Sequence, residues 1–375
     1  VTQRIVIKIG SSTLTTPQGR VDHAFLHRLA DQVAAVREAG FQPIIVTSAA
    51  IASGLEALGI AERPSDMPSL QAAASVGQNA LTNAYAKAFA PHGIITSTVL
   101  LTRRETADRK SYLHARDTLL RLLELGVIPI VNENDTVSVE QIRFGDNDTL
   151  AALVACLIQA DLLVVLSDID GLFDKNPRLH ADARLIPRVE AIDEELIGYA
   201  QGAGTGFGSG GMVTKITAAR VLMVAGIEMV ICNGRQENVL VDIVEGKERG
   251  TRFQAAARPH EITPKKLWIA LGDAAKGTLT VDAGAKTALI AKGSSLLCVG
   301  IVQAEGPFAA DDIVDIKDQA GHLFARGRVA VSYEDIVRAC GLSRQGRQGG
   351  QEADRPTNGS SGKPVVHRDD LVMFE

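Results

Sequence analysis

RIVIKIGSST, residues 4–13, sets one lysine inside a run of branched apolar residues and follows it with a glycine and three hydroxyl side chains. Isoleucine and valine are stiff at χ1 and suit a packed, pleated surface, so Arg4–Ile9 reads as a strand. Gly10, Ser11, Ser12 and Thr13 turn the chain immediately after it. A lysine in such a strand is costly unless its charge meets a partner. Lys8 either points at an anion beyond the strand end or snorkels to water from an edge strand. The strand alone leaves both readings open.

The same pattern recurs outward from this stretch. Pro43–Thr47, Ile95–Leu101, Val127–Val131, Leu162–Leu166 and Glu228–Cys232 read as strands, most of them closed by Gly, Ser, Asp or Asn. Helical periodicity fills the gaps at about Asp22–Ala39, Ser69–Phe89, Glu105–Leu125, Asn147–Gln159 and Thr214–Ala225, with Gly40, Gly126 and Gly226 as stops. Apolar strands linked by helices predict an α/β fold with a mostly parallel sheet covered on both faces. Ligands of such sheets lie beyond the carboxyl ends of the strands. The polar clusters Gly10–Thr13, Ser48, Asn132–Asp135 and Ser167–Asp170 all follow strand ends.

Composition narrows the functional classes. The chain has 375 residues, enough for about two or three domains. Hydrophobic residues make up 46%, which excludes global disorder. Aromatics at 4% and a net charge of −5 argue against a stacking or electrostatic platform for nucleic acid. No signal peptide and no bilayer-length apolar run is visible, and a reducing cytoplasm is the expected location. Cys156, Cys232, Cys298 and Cys340 lie far apart without a CxxC pair, so buried reduced thiols are expected rather than disulfides or a zinc site. His23 and His27 have metal-compatible spacing, but no HExxH accompanies them and their segment reads as an ordinary amphipathic helix.

The character changes near Glu261–Lys276. Residues 1–258 read as the α/β domain, 259–275 as a linker and 276–375 as a small β-rich domain. Its expected strands are Thr278–Val281, Leu297–Val302, Ile313–Ile316, Leu323–Val331 and a closing Pro364–Met373, with two short helices. Ser343–Lys363 is polar and glycine-rich and reads as a mobile surface insertion. From Pro264 to Glu375 there are 14 basic and 14 acidic residues, so the net negative charge lies in the preceding part.

Three further stretches bear chemistry. Gly204–Lys215 (GTGFGSGGMVTK) lets backbone N–H groups approach phosphate oxygens at a helix start, with Lys215 in the first turn. Gly206, Gly208 and Gly211 formally satisfy GxGxxG, but no apolar strand precedes them as a dinucleotide fold requires. Ser167-Asp168 closes a strand and either borders a nucleotide or caps the next segment. Asn132–Leu150 (NENDTVSVEQIRFGDNDTL) interleaves Asn with Asp, supplying donors as well as acceptors. That mixture suits a ligand carrying both ammonium and carboxylate better than a pure metal site. Val137–Phe144 within it alternates like a hairpin.

Together these pieces resemble the amino-acid kinase family, in its branch that phosphorylates the side-chain carboxylate of L-glutamate. The matching motifs are Val6–Ser12, Val46–Ile51, Asn132–Asp135, Gly145–Asp148, Ser167-Asp168 and Gly208–Lys215. Gly293–Leu297 and His367–Asp370 resemble the PUA domain appended to many bacterial members. The family fold is a three-layer sandwich.

The resemblance implies ATP as co-substrate, Mg²⁺ as cofactor and L-glutamyl 5-phosphate as product, the first step of proline synthesis. By motif, Lys8 and Lys215 contact ATP phosphates, with Asp148 orienting both. Ser48, Asp135 and Asn147 bind glutamate, supported by Asn132 and Asn134. Ser167, Asp168 and the loop Ser209, Gly210, Gly211, Met212, Val213, Thr214 and Lys215 hold the nucleotide. Asp146 and Asp148 are candidates to reach the metal, whose protein ligands stay unassigned. The family further implies a homo-oligomer, proline as a feedback inhibitor and a reductase that consumes the labile product. Ala49 departs from the usual Gly, and Ser167 from a frequent Thr. Two other readings stay open: a kinase of another amino acid or small carboxylate, and an RNA-binding protein acting through the PUA-like domain.

Overall fold

Ile5, Ile7 and Ile9 are buried on one side of the first strand, and Val6 and Lys8 on the other. This alternation organises the α/β part of the computed structural model, which describes residues 3–102, 109–137, 147–202, 211–255, 263–271, 275–339 and 363–374. The chain divides into two compact units, Val1–Glu261 and Ile262–Glu375.

In the first unit, β1 (Gln3–Ile9), β2 (Phe41–Val46), β3 (Thr96–Leu101), β4 (Ile128–Glu133), β5 (Leu162–Ser167), β6 (Arg188–Val189), β7 (Glu228–Asn233) and β8 (Thr251–Phe253) form an eight-stranded sheet. The order is β3-β4-β2-β1-β5-β7-β8-β6, parallel throughout except for β7 against β8. β1 is a central strand, flanked by β2 and β5. The reading of Lys8 as an edge residue therefore falls.

The helices are α1 (Ser11–Leu14), α2 (His23–Glu38), α3 (Ala50–Leu58), α4 (Met67–Phe89), α5 (Arg109–Glu124), α6 (Asn147–Leu157), α7 (Glu194–Gly202), α8 (Met212–Ala225) and α9 (Val239–Val244). Asp22 caps α2 by accepting from the Phe25 N–H at 2.9 Å. Its apolar stripe Phe25, Leu26, Leu29, Ala30 and Val33 packs with Ile5, Ile7 and Ile9 in one core, joined by Tyr85 and Phe89 of α4 and by Val239 and Leu240 of α9. On the opposite face α6 packs on β1 and β5 and against α8. The result is the expected helix–sheet–helix sandwich.

Several local expectations change. α1 forms where only a polar turn was expected, α3 forms in a stretch to which no element was assigned, and α4 begins at Met67, capped by Asp66, rather than at Ser69. β4 and β5 continue past their apolar residues, so Asn132, Glu133 and Ser167 are strand residues. Neighbouring ladders carry these polar residues, because backbone pairing does not depend on side-chain polarity.

The second unit holds a five-stranded sheet in the order β10-β9-β11-β12-β13, built from β9 (Gly277–Val281), β10 (Ile301–Glu305), β11 (Ile313–Lys317), β12 (Leu323–Val329) and β13 (Val366–Met373). Its separate core contains Leu279, Val281, Phe308, Val314, Ile316, Phe324 and Leu371. Pro264–Leu271 is a helix, α10, packed on β12 and β13, inside the span expected to be a linker. The strand expected at Leu297–Val302 is a short 3₁₀ turn at Cys298–Gly300 followed by β10.

Cys298 is disulfide-bonded, which corrects the expectation of reduced thiols throughout, whereas Cys156 and Cys232 are free. Apolar neighbours in sequence do not reveal which sulfurs folding brings within reach. Cys340, Gly145, Asp146, Ser209, Gly210, nearly all of the expected hairpin at Val137–Phe144 and the insertion at Ser343–Lys363 apart from Lys363 lie outside the described residues. Among the described residues no helix is long and apolar enough to cross a membrane.

Candidate active site

Lys8 reaches the site from the middle of the sheet, on the face away from Ile7 and Ile9. Its Nζ lies 2.6 Å from Asp148 Oδ1, and Lys215 Nζ lies 2.9 Å from Asp148 Oδ2. Asp148 is in the first turn of α6 and Lys215 in the first turn of α8, so two helix starts converge on the end of one strand. All three side chains are buried, Asp148 completely. Burial alone would raise the Asp148 pKa, but the charges and hydrogen bonds of Lys215 and Lys8 outweigh it and hold the carboxyl below its ordinary range. Thr214 Oγ1 also donates to Asp148 Oδ2 at 3.1 Å. Two ammonium groups on one carboxylate leave a net positive centre in a dry site, suited to gathering phosphate oxygens.

Beside this centre stands a cluster of amides and hydroxyls. Asn147, the first residue of α6, donates through Nδ2 to Asn132 Oδ1 at 2.9 Å, to Ser48 Oγ at 3.1 Å and to the Thr47 carbonyl. Asn132 Nδ2 donates to Gln78 Oε1 at 2.8 Å. Thr47 Oγ1 pairs with the buried Tyr85 hydroxyl at 2.8 Å. Ser48 ends the β2 turn just before Ala49, which has φ 72° and ψ 17° at the start of α3. That left-handed conformation is the one glycine adopts without strain, which is a physical reason for the family's usual Gly.

Glu133, Asn134, Asp135 and Thr136 line a cavity of about 370 Å³ with Ser75, Gln78, Asn79 and Thr82 of α4 and Thr98 and Leu100 of β3. Thr136 Oγ1 donates to Asn134 Oδ1. Burial pushes the Asp135 carboxyl up to about 6, with Arg63 acting in the opposite direction. Among the described residues no ion pair is made to this half-buried carboxyl, which suits an incoming ammonium.

Ser167, Asp168, Ile169, Gly171 and Leu172 line a separate small cleft of about 50 Å³ with Asn176, Pro177, Arg178, Gly211, Met212 and Lys215. Ser167 Oγ donates to Asp168 Oδ1 at 3.3 Å, and Arg178 Nη2 to Asp168 Oδ2 at 3.1 Å. Lys215 therefore belongs both to the charged centre and to this cleft. α7, not a strand, precedes the glycine loop, which fits the rejection of a dinucleotide motif.

Among the described residues no group of three or more His, Cys, Asp and Glu side chains could hold a metal. Each oxygen of Asp148 meets an ammonium, so this carboxylate is committed first to the two lysines.

The amino acid kinase family model matches residues 3–233, and the PUA domain model residues 277–345. The chain belongs to the amino acid kinase family. It is 44% identical over 372 residues to the glutamate 5-kinase of Caldanaerobacter subterraneus subsp. tengcongensis, covering 99% of this chain and 98% of that relative. The glutamate 5-kinase of Carboxydothermus hydrogenoformans is 43% identical, covering 100% and 98%. That of Bordetella petrii is 44% identical, covering 99% and 96%.

In this amino acid kinase the structure gathers Lys8, Lys215 and Asp148 into one centre. It joins Ser48, Asn132 and Asn147 in one hydrogen-bonded cluster, with Asn134 and Asp135 on the adjoining cavity. Ser167, Asp168, Gly211 and Met212 share the small cleft, and Val213 and Thr214 continue its helix. Sequence reading missed Gln78, Tyr85, Thr47 and Arg178. Gln78 and Tyr85 sit in an alanine-rich helix, and only their seven-residue spacing hinted at one shared face.

Proposed function

We propose that the chain is an ATP-dependent kinase that phosphorylates the side-chain carboxylate of L-glutamate, opening proline synthesis. The observation that carries this reading is the buried Lys8–Asp148–Lys215 centre at the strand ends, next to a polar cluster that offers both donors and acceptors. Relatives named glutamate 5-kinase that match along nearly the whole chain support it, and they favour it over an RNA-binding role or a different amino-acid substrate.

Glutamate's side chain, with a pKa of about 4.3, is already ionised at neutral pH, so the nucleophile needs no general base. The barrier is repulsion between that carboxylate and the γ-phosphate. In the proposed step a carboxylate oxygen bonds to the γ-phosphorus as the bond to the β-phosphate oxygen breaks, and ADP leaves. Lys8 and Lys215 neutralise the transferring group from fixed positions, which costs no reorganisation during the reaction. Asp148 keeps both lysines aimed. Asp135 pairs with the α-ammonium, Ser48 and Asn147 hold carboxylate and backbone-like polar groups of the substrate, and Asn132 and Asn134 brace them. Ser167, Asp168 and the Ser209–Lys215 loop take the nucleotide.

Mg²⁺ would enter with ATP, resting on phosphate oxygens and water and adding charge neutralisation there. The described side chains offer it no carboxylate cluster, and the roles assigned to the lysines do not depend on it. Proline, by competing for the same pocket, and a reductase that consumes the labile acyl phosphate fit the same reading.

The test traps the acyl phosphate with hydroxylamine in the presence of ATP and Mg²⁺. Hydroxamate is expected with glutamate. Product with aspartate and none with glutamate would overturn the substrate assignment.

A further inference from the structure

The backbone of Thr47 is paired on both sides, and its hydroxyl serves a separate purpose. The N–H donates to the Val131 carbonyl at 2.9 Å, and the carbonyl accepts from Asn147 Nδ2. The side chain is fully buried. Its Oγ1 donates to the Ser48 carbonyl at 3.3 Å and meets the buried Tyr85 hydroxyl at 2.8 Å. A hydroxyl has one proton to give. Thr47 gives its proton to Ser48, so Tyr85 donates to Thr47, and both buried hydroxyls are satisfied. A line of donors thus runs from α4 through Thr47 to the peptide between Ser48 and Ala49.

That peptide carries strain. Ala49 sits at φ 72° and ψ 17°, a conformation that a Cβ disfavours by a factor of roughly 5–30 in population. Turning the planar Ser48–Ala49 unit over changes ψ of Ser48 and φ of Ala49 together and leaves the other dihedrals nearly alone. Ala49 would then reach negative φ at the same ψ, a region open to alanine. The Ser48 carbonyl and the Ala49 N–H would exchange places. Among the described residues the hydrogen bond to the Ser48 carbonyl comes from Thr47, and the flip has to break it.

We infer that Thr47 is a positioning residue whose hydroxyl, backed by Tyr85, latches the Ser48–Ala49 peptide in its strained orientation beside the amino-acid pocket. This rests on the reading of that pocket as the glutamate site. With the latch open, the relaxed peptide brings a carbonyl oxygen to the place of the Ala49 N–H at the start of α3. Lone pairs there repel a carboxylate substrate, where an N–H attracts it. The chain tolerates alanine at this position because the latch opposes the flip.

Replacing Thr47 alone would strand the Tyr85 hydroxyl. The experiment therefore changes both partners to residues of the same shape, Thr47→Val with Tyr85→Phe, a replacement that is nearly neutral for stability. This double variant is expected to raise the glutamate KM roughly 5–30-fold, as the competent peptide orientation becomes the minor one. Its ATP KM should stay within about twofold, because the nucleotide side is untouched. Adding Ala49→Gly, which takes positive φ without strain, should bring the glutamate KM back to within about threefold of the parent. Thr47→Ser, which keeps the hydroxyl, should also stay within about threefold. Should the double variant not fold, Thr47→Ala, which leaves room for water to serve Tyr85, carries the same expectations and the same rescue by Ala49→Gly.

An unchanged glutamate KM in the double variant overturns the inference. So does a raised KM that Ala49→Gly does not relieve, or a parallel rise of both KM values with a fall in melting temperature, which marks a packing role only. Ser48→Ala separates the two levels. If it raises the glutamate KM while the double variant does not, the latch fails and the pocket reading stands. If neither moves, both fail.

Discussion

Lys215 Nζ lies 2.9 Å from Oδ2 of Asp148, a carboxylate whose other oxygen is held by Lys8. The pair is a device for keeping two like charges in one dry place. Removing a partner from such a buried set leaves charge uncompensated and costs about 3–5 kcal/mol. Asp148→Asn should therefore lower stability by about that amount in chemical denaturation, and turnover by roughly 10²–10³-fold as the lysines lose their aim. A variant with normal melting and normal turnover would show that the lysines hold position without it.

Lys215→Ala tests charge stabilisation from the other side. Turnover should fall by roughly 10²–10³-fold, the usual loss of one transition-state donor. The hydroxamate assay at saturating ATP and glutamate measures it directly, and unchanged turnover rejects the role.

Asp135 predicts a pH dependence. Burial raises its carboxyl to about 6, so it gains a proton as pH falls below that value. Only the ionised form attracts an ammonium. The glutamate KM should rise as pH drops from about 7 towards 5, while the ATP KM follows a different profile. Asp135→Asn should weaken glutamate binding at pH 7 and remove this dependence. A glutamate KM that is flat over the range would dissociate Asp135 from the substrate.

Ala49 holds φ 72° immediately after Ser48. Left-handed backbone costs a non-glycine residue about 1–2 kcal/mol. Ala49→Gly relieves that strain and gives back part of it through the freer unfolded chain. A net gain of up to about 1 kcal/mol is expected, read as a higher melting temperature. A lower melting temperature would mean that the alanine methyl contributes more packing than its backbone costs.

Gly54 and Gly77 mark the crossing of α3 and α4. A Cβ on Gly77 would fall 1.8 Å from the Ala50 carbonyl oxygen, and one on Gly54 1.7 Å from the Ala73 carbonyl oxygen. These are backbone contacts that no rotamer change can relieve. Gly77→Ala should destabilise by at least about 3 kcal/mol, beyond ordinary overpacking. In any folded fraction the displaced start of α3 should weaken glutamate more than ATP. Thermal denaturation with paired KM measurements checks both parts.

Much of the fold was legible because its signals are local. Ile5, Ile7 and Ile9 report a strand by their branching, and Asp22 with Phe25 reports a helix start by capping chemistry. α3 was not legible, since its entry depends on Ala49 taking a conformation that its own residue type disfavours. Cys298 misled for a related reason: apolar neighbours describe burial, whereas a disulfide is a relation between two distant positions.

The residue types determined the strand–helix alternation and placed polar clusters rich in both donors and acceptors after the strands. The family resemblance carried by its motifs nominated Lys8, Lys215, Asp148, Ser48 and Asn147. Only the tertiary structure decided that both lysines share one carboxylate and that Gln78 and Tyr85 of α4 support the pocket. Those relations join segments far apart in sequence. Their energies depend on distance, direction and exclusion of water, none of which a linear pattern records.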